Sequence, residues 1–361
     1  MADKNEAPST SEVVENGGYS NGEVAPRKRG VMNTLYPPGK TPGAGPRIKN
    51  HCRKFWWCDL LVVAIIALVI VLPIIFVAIP NKAQHDINAS TLEVTEQDIT
   101  SPQPEGLHLK LVSLAKSGSS FHPTLDAFRA SLSLKNKDPF LFIDIPEAKA
   151  NAETTIVVEQ DVKFASADQF TEYNKMVMGS EQFEIYLSGK TKVHQSGLKG
   201  ISVDYNKVIT MKGLNKLKGL NITDLTLLNK TLDDGSNMKG NVFIPNPSVM
   251  TLSLGNVTMN LVLDGTPIGI SLLPDLVIKP GDNNVPMQST VNQSAVLNYI
   301  MAKKTAVIPL DILGNSSMVG DQHLKYFEAA IQSNTVRVDL NVGPALAGIG
   351  LNVQTLIGGG S

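Results

Sequence analysis

The stretch TLSLGNVTMNLVLDGTPIGISLL, residues 251–273, decides the fold class. Its apolar side chains fall at every second position, Leu252 and Leu254 and then Val257, Met259, Leu261 and Leu263, which is the period of a strand with one buried face. The phase slips by one residue at Gly255-Asn256, which predicts a bulge, and Asp264-Gly265 supplies the turn of a hairpin into PIGISLL. The same alternation recurs in FEIYLSG (Phe183, Ile185, Leu187), ISVDYN (Ile201, Val203, Tyr205) and TVRVDLNV (Val336, Val338, Leu340, Val342). Helical patterning is confined to short pieces. In residues 166–177 Ser166 can cap while Phe170, Tyr173 and Val177 share a face, and residues 294–301 form a second such piece. The chain beyond residue 106 therefore reads as mainly β.

Toward the N-terminus the pattern changes completely. Residues 60–79, LLVVAIIALVIVLPIIFVAI, are twenty apolar residues without a charge, enough at 1.5 Å per residue to cross a hydrocarbon core about 30 Å thick. Phe55, Trp56 and Trp57 stand where an interface would hold amphipathic rings. Before them, residues 26–54 carry eight basic side chains and no acidic one, so the positive flank predicts a cytoplasmic N-terminus and type II, single-pass topology. Asn-x-Ser/Thr acceptors agree: Asn88, Asn221, Asn229, Asn256, Asn292 and Asn315 are glycosylation candidates, all after the span and none before it. The only two cysteines, Cys52 and Cys58, sit at the cytoplasmic edge as palmitoylation candidates or as unmodified thiols, and with His51 they lack the spacing of a zinc site. The C-terminal region, with no cysteine, must hold itself by hydrophobic cores.

Charge and motif content exclude several functions. Thirty-two basic against 33 acidic residues leave no cation excess for a nucleic-acid partner. There is no G-x-S-x-G elbow, H-E-x-x-H pair, Walker loop or dinucleotide fingerprint, and the six histidines are scattered. No catalytic residue, metal ligand or cofactor is assigned. PGDNN at 280–284 lacks the alternating acids and closing Glu of a calcium loop and reads as a tight turn. Segments 271–278 and 342–358 carry more apolar residues than one-sided burial needs, which leaves two readings open: sandwich core, or a groove for an acyl chain.

A faint internal repeat sets residues 107–140 against 220–249, with Asn136 opposite Asn246. In the second copy, residues 244–287 resemble the late-embryogenesis-abundant type 2 module, on an Asn-Pro turn at Asn246 and Pro247, a hydrophobic hairpin and a Pro-Gly-x-Asn turn at Pro280, Gly281 and Asn283. The first copy departs from that pattern, reading Asn136-Lys137-Asp138-Pro139. The whole chain is similar to a fungal family of single-pass membrane proteins of unknown function with such ectodomain modules. The resemblance implies two tandem immunoglobulin- or fibronectin-like β-sandwiches with short helices, no enzymatic activity, and a vacuolar membrane in preference to the plasma membrane.

The expected organisation is a disordered basic tail (1–54), a transmembrane helix with interfacial aromatics (55–80), a linker (81–106), a first sandwich (107–217) and a second (218–361). The expected function is a non-enzymatic, membrane-anchored binding module in the lumen or outside the cell. Its partners are the lipid bilayer and a bound lipid or another membrane protein, and no nucleic acid. The alternative is a structural or adhesion glycoprotein contacting wall material or another ectodomain.

Overall fold

A computed structural model of the chain describes residues 30–37, 44–119, 121–195 and 199–358. The chain forms two compact units, Met1–Ile74 and Ile75–Ser361.

The first unit is helical. A short helix α1 (Val31–Leu35) precedes α2 (Ala44–Pro73), interrupted only at Phe55, where φ is -121° and ψ is 15°. The helix starts inside the stretch expected as a disordered tail. Pro46 fits the first turn, where its missing N–H costs nothing, and once the apolar run nucleates a helix each added residue is inexpensive. Residues 1–29 of the expected tail lie outside the described residues. His51 ties α1 to α2: its Nδ1 donates to the Leu35 carbonyl at 2.5 Å and its Nε2 to Asp59 at 3.0 Å. The Leu35 carbonyl foremost, and then Asp59, raise the His51 pKa. This helix is long and apolar enough to cross a membrane, and none of its side chains is buried.

Five π-helical residues (Ile74–Ala78) follow Pro73 directly, and then comes α3 (Ile79–Ala89) with Pro80 in its first turn. Strand β1 (Thr91–Gln103) pairs antiparallel with β2 (Gly106–Lys116). The expected linker at 81–106 is thus a helix and a strand. Its alternation is masked because β1 is bulged between Val94 and Glu96 and carries charge along its outer face. Next come β3 (Thr124–Leu125), β4 (Phe128–Ser133), β5 (Pro139–Ile145), β6 (Ala148–Lys149) and β7 (Glu153–Lys163), which runs along the whole of β2. Helix α4 (Ala167–Gly179) follows, then β8 (Gln182–His194) and β9 (Ile201–Lys212). Strands β5-β4-β8-β9, with β3 and β6 at one end, make a second sheet opposite β1-β2-β7.

A 3-10 turn at Asn215–Leu217 leads to β10 (Asn221–Leu227), β11 (Met238–Asn246), β12 (Met250–Leu263), β13 (Thr266–Ile278) and β14 (Gly281–Val291). After these come α5 (Gln293–Lys303), β15 (Val307–Val319), β16 (Gln322–His323), α6 (Lys325–Gln332), β17 (Thr335–Asn341), α7 (Gly343–Gly348) and α8 (Val353–Gly358). The order β10-β11-β14-β13-β12-β15-β17 curls until its outer strands β10 and β17 come against each other. The architecture is mainly β, with sandwich-like sheets, one long apolar helix near the N-terminus and a few short helices.

The hairpin read from residues 251–273 forms as expected. Register shifts flank Gly255, and Asp264 and Gly265 both have positive φ (49° and 79°). Gly255 itself has φ 68°, and a Cβ there would lie 2.3 Å from the Met318 carbonyl oxygen. Gly255→Ala is therefore expected to cost about 2–3 kcal/mol through backbone strain and displacement of β15. A denaturant titration of the variant checks it, and a loss under about 0.5 kcal/mol would show the bulge to be relaxed.

The expected boundary at 217/218 falls in the 3-10 turn, yet the two sides are joined. Strand β1 pairs in parallel with β12 (Gln97 with Met250, Ile99 with Leu252). Phe164, Phe170 and Tyr173 from the first side gather with Tyr326 of α6, whose hydroxyl donates to the Gln103 carbonyl at 3.1 Å. One buried apolar cluster runs from Ile87 to Leu346.

Candidate apolar ligand site

Helix α3 carries two rows at fourfold spacing. Ile79, Ala83 and Ile87 form an apolar row, and Lys82, Asp86 and Ser90 form a polar row beside it. The apolar row packs toward β9, and the helix is fastened at two points. The Gln84 side chain treats the free edge of β9 as a strand would: Nε2 donates to the Asp204 carbonyl and Oε1 accepts from the Asp204 N–H, both at 2.8 Å. At the helix C-terminus the buried Lys207 Nζ donates to the carbonyls of Ile87 and Ser90 and, at 2.8 Å, to Ser90 Oγ. A cation at the negative end of a helix, adding a charged donor to carbonyls of its last turn, is favourable.

Lys207→Met removes the charged donor from both carbonyls, leaving Ile87 only its bonds from Ser90, and is expected to cost about 1–3 kcal/mol. The pH dependence has a definite sign. Burial pulls the Lys207 pKa down to about 8. Between about pH 8 and pH 10 the unfolded chain holds a proton that the folded chain has released, so stability rises with pH. Above about pH 10 the trend reverses, because burial pushes Tyr173 and Tyr205 up to about 12 and their phenols ionise first in the unfolded chain. Melting temperatures across pH 7.5–10 are expected to show the rise in the parent protein and not in Lys207→Met; a rise of equal size in both would overturn the assignment.

Beside α3 lies a cavity of about 470 Å³. That falls within the roughly 300–1,000 Å³ usual for ligand sites. Its room comes from small side chains, Ala78, Ala83, Ala115, Ala148 and Ala150, and its floor from Leu125, Ile156, Val193, Ile201 and Tyr205. Phe121, 53% exposed, stands at its edge. The polar lining residues include Lys82, Asp86, Lys116, Ser119 and Lys149, besides Ser90, Ser117, Asn151, Thr154 and Gln195, whose Oε1 is buried without a partner among the described residues. The Lys82 ammonium holds the Asp86 carboxyl below the usual carboxylate range, against its partial burial, and Ser119 Oγ donates to it at 2.7 Å. Among the described residues the lining has no histidine, cysteine or glutamate, and no cluster of metal-ligating side chains forms. Such a surface offers apolar solvation and charged groups at the same site.

The residues singled out by sequence fall elsewhere. Leu273, Leu276 and Ile278 of segment 271–278 are buried core, and segment 342–358 forms α7 and α8 beside a second cavity of only about 80 Å³. Asn246 and Asn283 are turn-builders. Asn246 donates to the Met250 carbonyl at 2.7 Å and accepts from Ser248, while Asn283 donates to the carbonyls of Lys279 and Ile244 and accepts from the Lys279 N–H. Pro247 follows the end of β11, and Pro280 and Gly281 (φ 88°) turn the chain from β13 into β14. All six sequon asparagines are exposed; Asn292 also caps α5, accepting from the Ala295 N–H at 3.1 Å. Cys52 is exposed and Cys58 half-buried. The cavity itself escaped the sequence reading because α3 lay in the supposed linker. Its signal was the i, i+4, i+8 row Ile79, Ala83, Ile87 continuing the apolar run.

Residues 138–261 match the family described as "Protein of unknown function (DUF3712)". No curated protein matches the chain in sequence. Among solved structures, the periplasmic chaperone SfaE aligns at 10% identity over 55% of this chain and 86% of its own, with a TM-score of 0.19. The E. coli chaperone DraB aligns at 9% identity over 70% and 98%, also at 0.19. An adhesin from Mobiluncus mulieris aligns at 8% identity over 67% and 83%, again at 0.19. Superpositions that loose carry no functional argument.

Proposed function

We propose that this protein is a non-enzymatic, membrane-anchored binding module that takes a lipid acyl chain into the cavity beside α3. One observation carries the reading: Ile79 is both the last residue of the twenty-residue apolar run and a wall of the alanine-lined cavity, so the cavity begins in the chain where the membrane-spanning run ends. The apolar lining supplies the driving force, about 0.8 kcal/mol for each methylene removed from water. The resemblance of residues 244–287 to late-embryogenesis-abundant type 2 modules within a fungal membrane family supports the reading and favours the vacuolar membrane. Solvent extraction of the full chain, purified in a mild non-ionic detergent, is expected to release about one lipid per protein. A folded protein that releases none contradicts the proposal.

The basic flank and the exposed sequons support a luminal or extracellular second unit. Glycosidase treatment of the membrane-inserted protein is expected to increase its mobility, and protease added from the cytoplasmic side to spare everything after Ile79; unchanged mobility with digestion of that part reverses the topology. The exposure of all six sequons also favours a second reading, a glycosylated structural or adhesion module, which predicts an empty cavity.

A further inference from the structure

We infer that the cavity selects an amphiphile with one acyl chain and an anionic head, a carboxylate or a phosphate monoester; the inference rests on the acyl-chain reading above. Two features of the site set this class. The first is volume. A methylene takes about the room of a water molecule in the liquid, about 30 Å³. A cavity of about 470 Å³ therefore matches the methylenes of one chain of about 16 carbons. The second is the charge at the rim. Lys82, Lys116 and Lys149 line the cavity against one carboxylate, Asp86. Lys82 is already committed to Asp86, which also accepts from Ser119. Lys116 has only a marginal partner, Glu93 at 4.0 Å, and among the described residues Lys149 makes no ion pair. These two ammonium groups sit where β2 ends and where β6 lies, beside a mainly apolar lining. A tail inserted past Ala115 and Ala150 brings its head to the lining that carries them, where an ammonium can form a charge-assisted hydrogen bond with it. A neutral head would gain nothing from that rim, and a choline head would meet like charge.

The test uses the full chain in phosphatidylcholine nanodiscs, with a photoactivatable 16-carbon fatty acid and the fatty alcohol of the same length, each carrying its diazirine near the tail end. Cross-linked peptides are mapped by mass spectrometry. The acid is expected to label peptides containing Ala115, Ile156 or Ile201 at least fivefold more than the alcohol. The exposed-lysine variant Lys116→Gln/Lys149→Gln is expected to bring the acid down to the alcohol's level while its circular dichroism stays unchanged. Unlabelled palmitate and unlabelled lysophosphatidic acid, added as competitors, separate the two head groups, and the stronger competitor names the head. Equal labelling by acid and alcohol at those peptides overturns the headgroup assignment and leaves the acyl-chain reading standing. Competition by diacyl phosphatidic acid as strong as that of lysophosphatidic acid overturns the single-chain assignment. Absence of labelling at those peptides by either probe overturns both this inference and the reading beneath it.

Discussion

Phe170→Ala is expected to destabilise the second unit by about 3–5 kcal/mol, the range for removing a fully enclosed aromatic ring. Phe170 is 0% exposed and sits on α4, whose first turn is fixed by Ser166 accepting from the Gln169 N–H at 3.3 Å. Its ring stacks on Phe164 at 4.2 Å and meets Tyr326 edge-on at 5.1 Å, with Tyr173 5.7 Å away. Substitution therefore removes packing on both sides of the boundary at 217/218, besides opening a void that close-packed neighbours fill only in part. Guanidinium titration followed by circular dichroism in the strand region is the suitable measurement, because both tryptophans, Trp56 and Trp57, lie in the other unit. A single transition shifted to lower denaturant is expected. Two transitions, with only one shifted, would show that the two sides fold independently and that the β1–β12 pairing and the aromatic cluster couple them weakly.

Ala150→Trp is expected to abolish acyl-chain binding while leaving the fold intact. Ala150 lines the cavity and is half-buried, and its N–H donates to the Pro123 carbonyl at 2.8 Å, a backbone bond that the substitution keeps. An indole placed there occupies space that the alanines leave open, so filling requires little displacement of packed atoms. In the parent protein a lipid present at about 100 times its dissociation constant adds about 2.7 kcal/mol of stability, or a rise in melting temperature of about 5 °C or more. The variant is expected to melt at or above the temperature of the lipid-free parent and to gain nothing from added lipid. A lipid-dependent rise that survives the substitution would place the bound chain elsewhere.

The β character was legible because residues 183–187, 201–205 and 336–342 alternate, as do residues 251–273 apart from the slip at Gly255-Asn256, and buried inward positions include Phe183, Ile185, Leu187, Val203, Tyr205, Val338 and Leu340. Helix α4 was equally legible from its cap and from the spacing of Phe170, Tyr173 and Val177. What local pattern could not show was long-range pairing. Nothing in residues 91–103 announces that β1 will add in parallel to β12, since that contact is set by how the two sheets meet and not by either strand alone. The site was hidden for a related reason. A cavity is a deficit of side-chain volume contributed by Ala83, Ala115 and Ala150 from three distant segments, and small residues leave no periodic trace. The apolar-rich segments that drew attention, 271–278 and 342–358, were rich because they build core and cap a sheet end.

The most direct measurement is native mass spectrometry of the full chain, expressed in a eukaryotic secretory pathway and released from nanodiscs in the spectrometer, parent beside Ala150→Trp. The account predicts a parent protein carrying one lipid in mass-resolved one-to-one stoichiometry, and a folded variant of the same glycoform pattern carrying none. A parent protein that flies empty, or a variant that retains the lipid as fully as the parent, would contradict it.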